Sequence, residues 1–172
     1  MPGSFIDISN LTGSHQPPVD QWTVLGGPEE FAAMPLTHQD QIIFLDGPST
    51  QTVYEAFNRR DLLCGDDGWG NRPFRGGCYK TVAQHRGDAD LKKWLYQRGL
   101  PFADNAFLLP AFAAKDAPAI LTSWKIVVKY APEIFSGDNI VVVGETVNWC
   151  LHYHHDGVIT FACEPDWTKM GR

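Results

Sequence analysis

The sequence predicts an α+β domain: a mainly antiparallel sheet, two or three helices packed on it, and a C-terminal β-hairpin. Three observations carry this expectation. Apolar runs of strand length recur along the chain, most clearly in "DNIVVVGE" (138–145). Other segments repeat apolar residues at helical spacing. The elements do not alternate strictly as β-α-β, and the chain closes on consecutive strands. With 172 residues, 44% of them hydrophobic and 12% aromatic, one unit can bury a substantial core.

Residues 1–40 carry Pro2, Pro17, Pro18, Pro28 and Pro35 together with Gly3, Gly13, Gly26 and Gly27. Such punctuation breaks regular elements, so this part reads as an irregular arm packed on a single domain of residues 41–172, with one short helix near 29–34. In "QIIFLDGPST" the apolar run 42–45 is a buried strand ended by a turn at Asp46, Gly47 and Pro48. Ser49 or Thr50 is then available to cap a helix of about three turns, in which Val53, Tyr54 and Phe57 share a face.

"GDADLKKWLYQRGLP" reads as a second helix. Asp88 or Asp90 stands at its start, where acids favour the helix dipole. Leu91, Trp94 and Leu95 share one face, and Gly99 closes the helix before Pro101. "NAFLLPAF" is a strand that Pro110 ends or confines to a sheet edge. "APAILTSWKIVVKYAPEIF" fits either element. Its length, the Thr122 or Ser123 cap and the spacing of Ile120, Trp124, Val127 and Val128 favour helix, stopped by Pro132. The tail beyond Cys163 is expected to fray.

The net charge of −6 argues against nucleic acid or an anionic membrane as the default partner, since both attract basic surfaces. No apolar run approaches the roughly 18 residues that span a bilayer. The opening "MPGSFIDISN" lacks the basic and apolar regions of a secretory signal. Four cysteines (Cys64, Cys78, Cys150 and Cys163) are too few for a disulfide scaffold, and none forms a C-x-x-C. The expectation is a reduced, cytoplasmic protein. Neither a G-x-S-x-G elbow nor a G-x-G-x-x-G after a strand is present, and no cofactor is expected.

Two segments hold candidate functional residues. The first, "GDDGWGNRPFRGG" (65–77), is the most glycine-dense part of the chain and interleaves Trp69 and Phe74 with Arg72 and Arg75. It lacks the Lys-Ser/Thr of a phosphate loop and the alternating ligands of an EF-hand. One reading makes Trp69 and Phe74 a cover on the core. The other makes Asp66, Asp67, Trp69, Arg72, Phe74 and Arg75 a protein-binding surface, because Trp and Arg dominate interface energetics and acids add charge complementarity.

The second segment is "WCLHYHHDGVITFAC" (149–163). An Asp-Gly pair between strand-like residues signals a hairpin, since both central residues of a type I′ turn need positive φ. A two-residue loop at Asp156 and Gly157 sets His155 against Val158, His154 against Ile159, His152 against Phe161 and Cys150 against Cys163. Alternation then gathers Cys150, His152 and His154 on one face with Ile159, Phe161 and Cys163. In that register Cys150 and Cys163 stand close enough for a cross-strand disulfide, although a reducing compartment favours two thiols.

"HYHHDG" also resembles the H-x-H-x-D-H motif of the metallo-β-lactamase superfamily, with His152, His154 and Asp156 at its first three positions. That resemblance implies a metal-dependent hydrolase whose further ligand would come from His85, His38 or Cys163. Gly157 stands where the family has its next histidine, and few residues follow to supply the family's downstream ligands.

The layout of "ILTSWKIVVKYAPEIF" and "DNIVVVGETVNWCLHYHHDGVITFA" is similar to the C-terminal half of small bacterial α+β proteins in the style of polymorphic-toxin immunity partners. It comprises a Trp-bearing helix, a valine strand, an Asn-Trp strand and a His-Asp-Gly hairpin. The resemblance implies a non-enzymatic protein that binds a protein partner, with a toxin as the candidate. The metal-dependent hydrolase is the alternative, and a homodimer joined through the hairpin edge is a third reading.

Overall fold

A computed structural model describes residues 6–18, 24–63, 73–74, 76–83, 87–110 and 117–165. Within them eight strands form one sheet: β1 (Gly13–Ser14), β2 (Ile43–Leu45), β3 (Cys78–Ala83), β4 (Asn105–Pro110), β5 (Ile120–Ser123), β6 (Ile140–Gly144), β7 (Trp149–Tyr153) and β8 (Val158–Cys163). Their order across the sheet is β1-β2-β5-β4-β6-β7-β8-β3, and every neighbouring pair is antiparallel. Six helices accompany them: α1 (Pro28–Ala33), α2 (Leu36–Gln39), α3 (Gly47–Asn58), α4 (Asp88–Tyr96), α5 (Trp124–Lys129) and α6 (Ala131–Ile134). The expected α+β class, antiparallel sheet and closing hairpin are all present, with more short helices than the two or three anticipated.

Both faces of the sheet are covered, which explains why β6 reads as an unbroken apolar run instead of alternating. Val142 and Ile140 join Leu108, Leu151, Tyr153, Ile159 and Phe161 in one core, closed by Leu91 and Leu95 of α4, Trp124 of α5 and Ile134 of α6. Val141 and Val143 turn the other way. They join Phe107, Leu109, Cys150 and Ala162 beneath Val53 and Phe57 of α3. Every residue of β6 and β7 is buried.

The hairpin joining β6 to β7 depends on glycine. A Cβ placed on Gly144 would stand 2.3 Å from Nε1 of Trp149, whose indole covers the glycine. The ring packs edge-on to Trp124 with centroids 5.2 Å apart and stacks on Phe161 at 6.1 Å. Two of the largest side chains of the core therefore meet over a position where only hydrogen fits.

Four local expectations are corrected. Residues 120–135 do not form one helix: 120–123 pair as β5, and the helix begins at Trp124, capped by the Ser123 side chain accepting from the Ile126 N–H. β4 is not an edge strand, for β5 and β6 flank it, and Pro110 closes it opposite Ile140. α3 is capped by Asp46, which accepts from the Ser49 N–H at 2.8 Å, so Gly47 and Pro48 lie in its first turn instead of a separate turn. β3 has no counterpart in the sequence-based reading. The arm also contributes to the sheet through β1, and Thr12 ties it to α3 through hydrogen bonds with Asp46 and Ser49.

Candidate functional site

The histidine-rich hairpin forms where expected, with a different register. Trp149 faces Cys163, Cys150 faces Ala162, Leu151 faces Phe161, His152 faces Thr160 and Tyr153 faces Ile159. The His154 N–H donates to Val158 O at 2.8 Å and the Gly157 N–H to His154 O at 2.9 Å. The loop thus holds three residues, 155–157, and Gly157 has positive φ (91°) while Asp156 does not. This is a turn followed by a left-handed glycine, the next commonest way to close a hairpin.

A one-residue slip exchanges every cross-strand partner from one face to the other. Ile159, Phe161 and Cys163 therefore share the α4/α5 face with Leu151 and Tyr153, not the face of His152. The predicted Cys150–Cys163 pair is overturned: these residues lie on opposite faces of the sheet.

His152 is buried on the α3 face between Val141 and Thr160. Its imidazole is pulled down to about 4, first by burial, then by the like charge of His154, with Asp156 acting in the opposite sense. His154 Nδ1 contacts Asp156 Oδ1 at 2.8 Å, and that carboxylate also accepts the Val158 N–H. The His154 hydrogen bond, foremost among these contacts, holds the Asp156 carboxyl below its ordinary range. On the other side of the strand His155 directs both its N–H and its ring Nδ1 to the Asn139 side-chain oxygen. Asp156 thereby serves the turn, and His155 binds the residue that precedes β6.

Among the described residues no group of three His, Cys, Asp or Glu side chains is placed to hold a metal ion. Two of the proposed extra ligands are elsewhere: Cys163 is on the opposite face, and the His38 ring meets the Tyr130 hydroxyl at 2.6 Å. His85 lies outside the described residues. Protein purified without chelator is expected to carry zinc, iron or manganese well below one equivalent by elemental analysis. Stoichiometric metal that disappears in His152→Ala/His154→Ala would establish the hydrolase alternative instead.

Of the predicted binding residues, Asp66, Asp67, Trp69, Arg72 and Arg75 lie outside the described residues. Phe74 is corrected: it is 7% exposed and sits in the core beneath α3, so it covers the core and does not present a surface. The Tyr79 hydroxyl fixes it in place, hydrogen-bonding both the N–H and the carbonyl of Phe74 at 3.1 Å. Leu62, on the near side of the same segment, is buried in the same core. Two apolar anchors in one core therefore bracket the stretch that contains the predicted contact residues. It precedes β3 in the chain, which among the described residues is the last strand of the sheet and pairs with β8. Because β3 covers β8, the hairpin offers no open edge, which corrects the proposed hairpin-edge dimer.

The sequence also gave no hint of a cleft of about 540 Å³ between the arm and α3, lined by Asp7, Asn10, Leu11, Thr52, Glu55 and Arg59. The N-terminus of α3 beside it is already occupied by the Asp46 carboxylate. Comparison with protein-family models, curated proteins and solved structures returns no match for this chain. No helix among the described residues is long and apolar enough to cross a membrane.

Proposed function

We propose that the chain is a non-enzymatic, cytoplasmic protein-binding domain whose partner docks along residues 65–77 and the adjoining outer strand β3, with a bacterial toxin as the candidate partner. The observation that carries this reading is the position of β3. Among the described residues it closes one end of the sheet beside β8, and it turns Lys80 and Thr81 to solvent. Such an edge is a template for an added strand, and the aromatic and guanidinium residues that precede it in the sequence are suited to supply specificity. Asp66 and Asp67, with the chain's net charge of −6, favour a partner with a basic surface. The free thiols of Cys78 and Cys163 suit a reducing compartment.

Affinity capture from the source cell, followed by titration calorimetry with the captured protein, tests the proposal. Trp69→Ala is expected to keep the wild-type circular dichroism and melting temperature while weakening binding at least about tenfold, the loss of a hot-spot side chain. Unfolding of Trp69→Ala would make Trp69 a core residue, and unaltered affinity would remove this segment from the interface.

A further inference from the structure

β8 lies between β7 and β3, and the backbone shows which of its residues face each neighbour. The N–H of His154 bonds to Val158 O and that of Glu164 to Asn148 O. Even-numbered residues of β8 therefore direct their backbone groups to β7, and odd-numbered ones to β3. Cys163 is odd-numbered, and its partner across β3 is Cys78. The pair occupies a hydrogen-bonded position of the ladder, where opposed Cα atoms stand about 5.5 Å apart, inside the range that disulfides span.

The two sulfurs differ in access. Cys163 is 1% exposed, and burial pushes its thiol up. Cys78, on the outer strand, is half-buried. Beyond the end of α4, Arg98 donates from Nε to Trp94 O at 3.0 Å. Its guanidinium lies 4.4 Å over the Trp94 ring and 5.9 Å from the centroid of Phe161. Burial lowers the pKa of Arg98, and the charges of Cys78 and Cys163 act in the opposite direction. Lys80, one residue along from Tyr79 on β3, also favours the Cys163 thiolate. A half-exposed thiol on the outer strand with a second thiol directly opposite is the arrangement that two-electron oxidation converts to a disulfide.

We propose that Cys78 and Cys163 form an oxidation site at which a hydroperoxide closes an intrachain disulfide between β3 and β8. The Cys78 thiolate attacks the terminal peroxide oxygen. An S–O bond forms as the O–O bond breaks, and the leaving oxygen departs, protonated, as water or an alcohol. The Cys163 thiol then attacks the sulfenic sulfur. The S–S bond forms, the S–O bond breaks, and the hydroxyl leaves as water with the Cys163 proton. Two thiols lose two electrons in all, and the peroxide gains them. The product fastens the outer strand to the sheet, and a cellular dithiol reductant reverses it by exchange. The site is independent of the protein-binding reading.

Full-length reduced protein treated with equimolar hydrogen peroxide, then alkylated in denaturant and digested without reductant, provides the test. The expected product is a linked peptide joining Cys78 to Cys163, formed equally in Cys64→Ser. In Cys163→Ser the reaction should stop at a sulfenic acid on Cys78 that dimedone traps. A disulfide through Cys64 or Cys150, or dimedone labelling confined to another cysteine, would overturn the proposal.

Discussion

Replacing Trp149 by alanine is expected to remove about 3–5 kcal/mol of folding stability, a large part of the 5–15 kcal/mol that holds a domain together. The indole is 1% exposed, edge-on to Trp124 and stacked on Phe161, and thus joins β7 to α5 and β8. Truncation leaves a cavity among rigid rings that cannot easily collapse into it. Gly144→Ala attacks the same contact from below. Its added methyl meets the indole at 2.3 Å, where a ring packed on two sides has no room to yield, and the cost is about 1–3 kcal/mol. The two losses share one cause and are therefore not additive. In urea titrations, Gly144→Ala should cost far less in the Trp149→Ala background than in the native chain. Equal costs in both backgrounds would mean that the ring does not cover the glycine.

Acid should destabilise the fold through His152. In the unfolded chain this imidazole titrates near 6.5, and in the folded chain near 4. Between those values the unfolded state binds a proton that the folded site refuses. Stability therefore falls as pH drops from about 6.5 to about 4 and is untouched by this group above that window. The loss is on the order of 2 kcal/mol, after allowance for screening by water at the hairpin tip. Asp104 works the other way, because burial and then the charge of Glu145 raise its carboxyl, so that its protonation favours the folded chain. Denaturation midpoints at pH 7 and pH 4.5 measure the difference, and His152→Gln should reduce it. A pH dependence unchanged by that substitution would show that His152 remains hydrated.

Much of the architecture was legible because burial imposes a pattern on the residues. β6 has no polar residue from 140 to 143 because both its faces are covered, and α4 announces itself through Leu91, Leu95 and the glycine that ends it. The hairpin was legible, but its register was not. Asp156-Gly157 serves a two-residue loop with two positive φ angles or a three-residue loop with one. The choice rests on what each register buries: the observed one places Phe161 and Ile159 beside Leu151 and Tyr153, apolar against apolar. β3 escaped notice because an outer strand is half solvated, and Cys78, Lys80 and Thr81 lack the apolar rhythm of an inner strand. The break at Ser123 was hidden because Ile120 falls in helical phase with Trp124 and Val127 by coincidence. The burial of Phe74 agrees with the reading of that residue as a cover on the core, and the Tyr79 hydroxyl holds its backbone in place.

The register of the last hairpin decides where each histidine and cysteine of that segment lies, and nuclear Overhauser contacts between α-protons read it directly. Such protons approach closely only across non-hydrogen-bonded pairs. Contacts of Trp149 with Cys163, Leu151 with Phe161 and Tyr153 with Ile159 are predicted. A contact of Cys150 with Cys163, or of His152 with Phe161, would contradict the fold described for this segment and return both imidazoles of His152 and His154 to the face of Cys163.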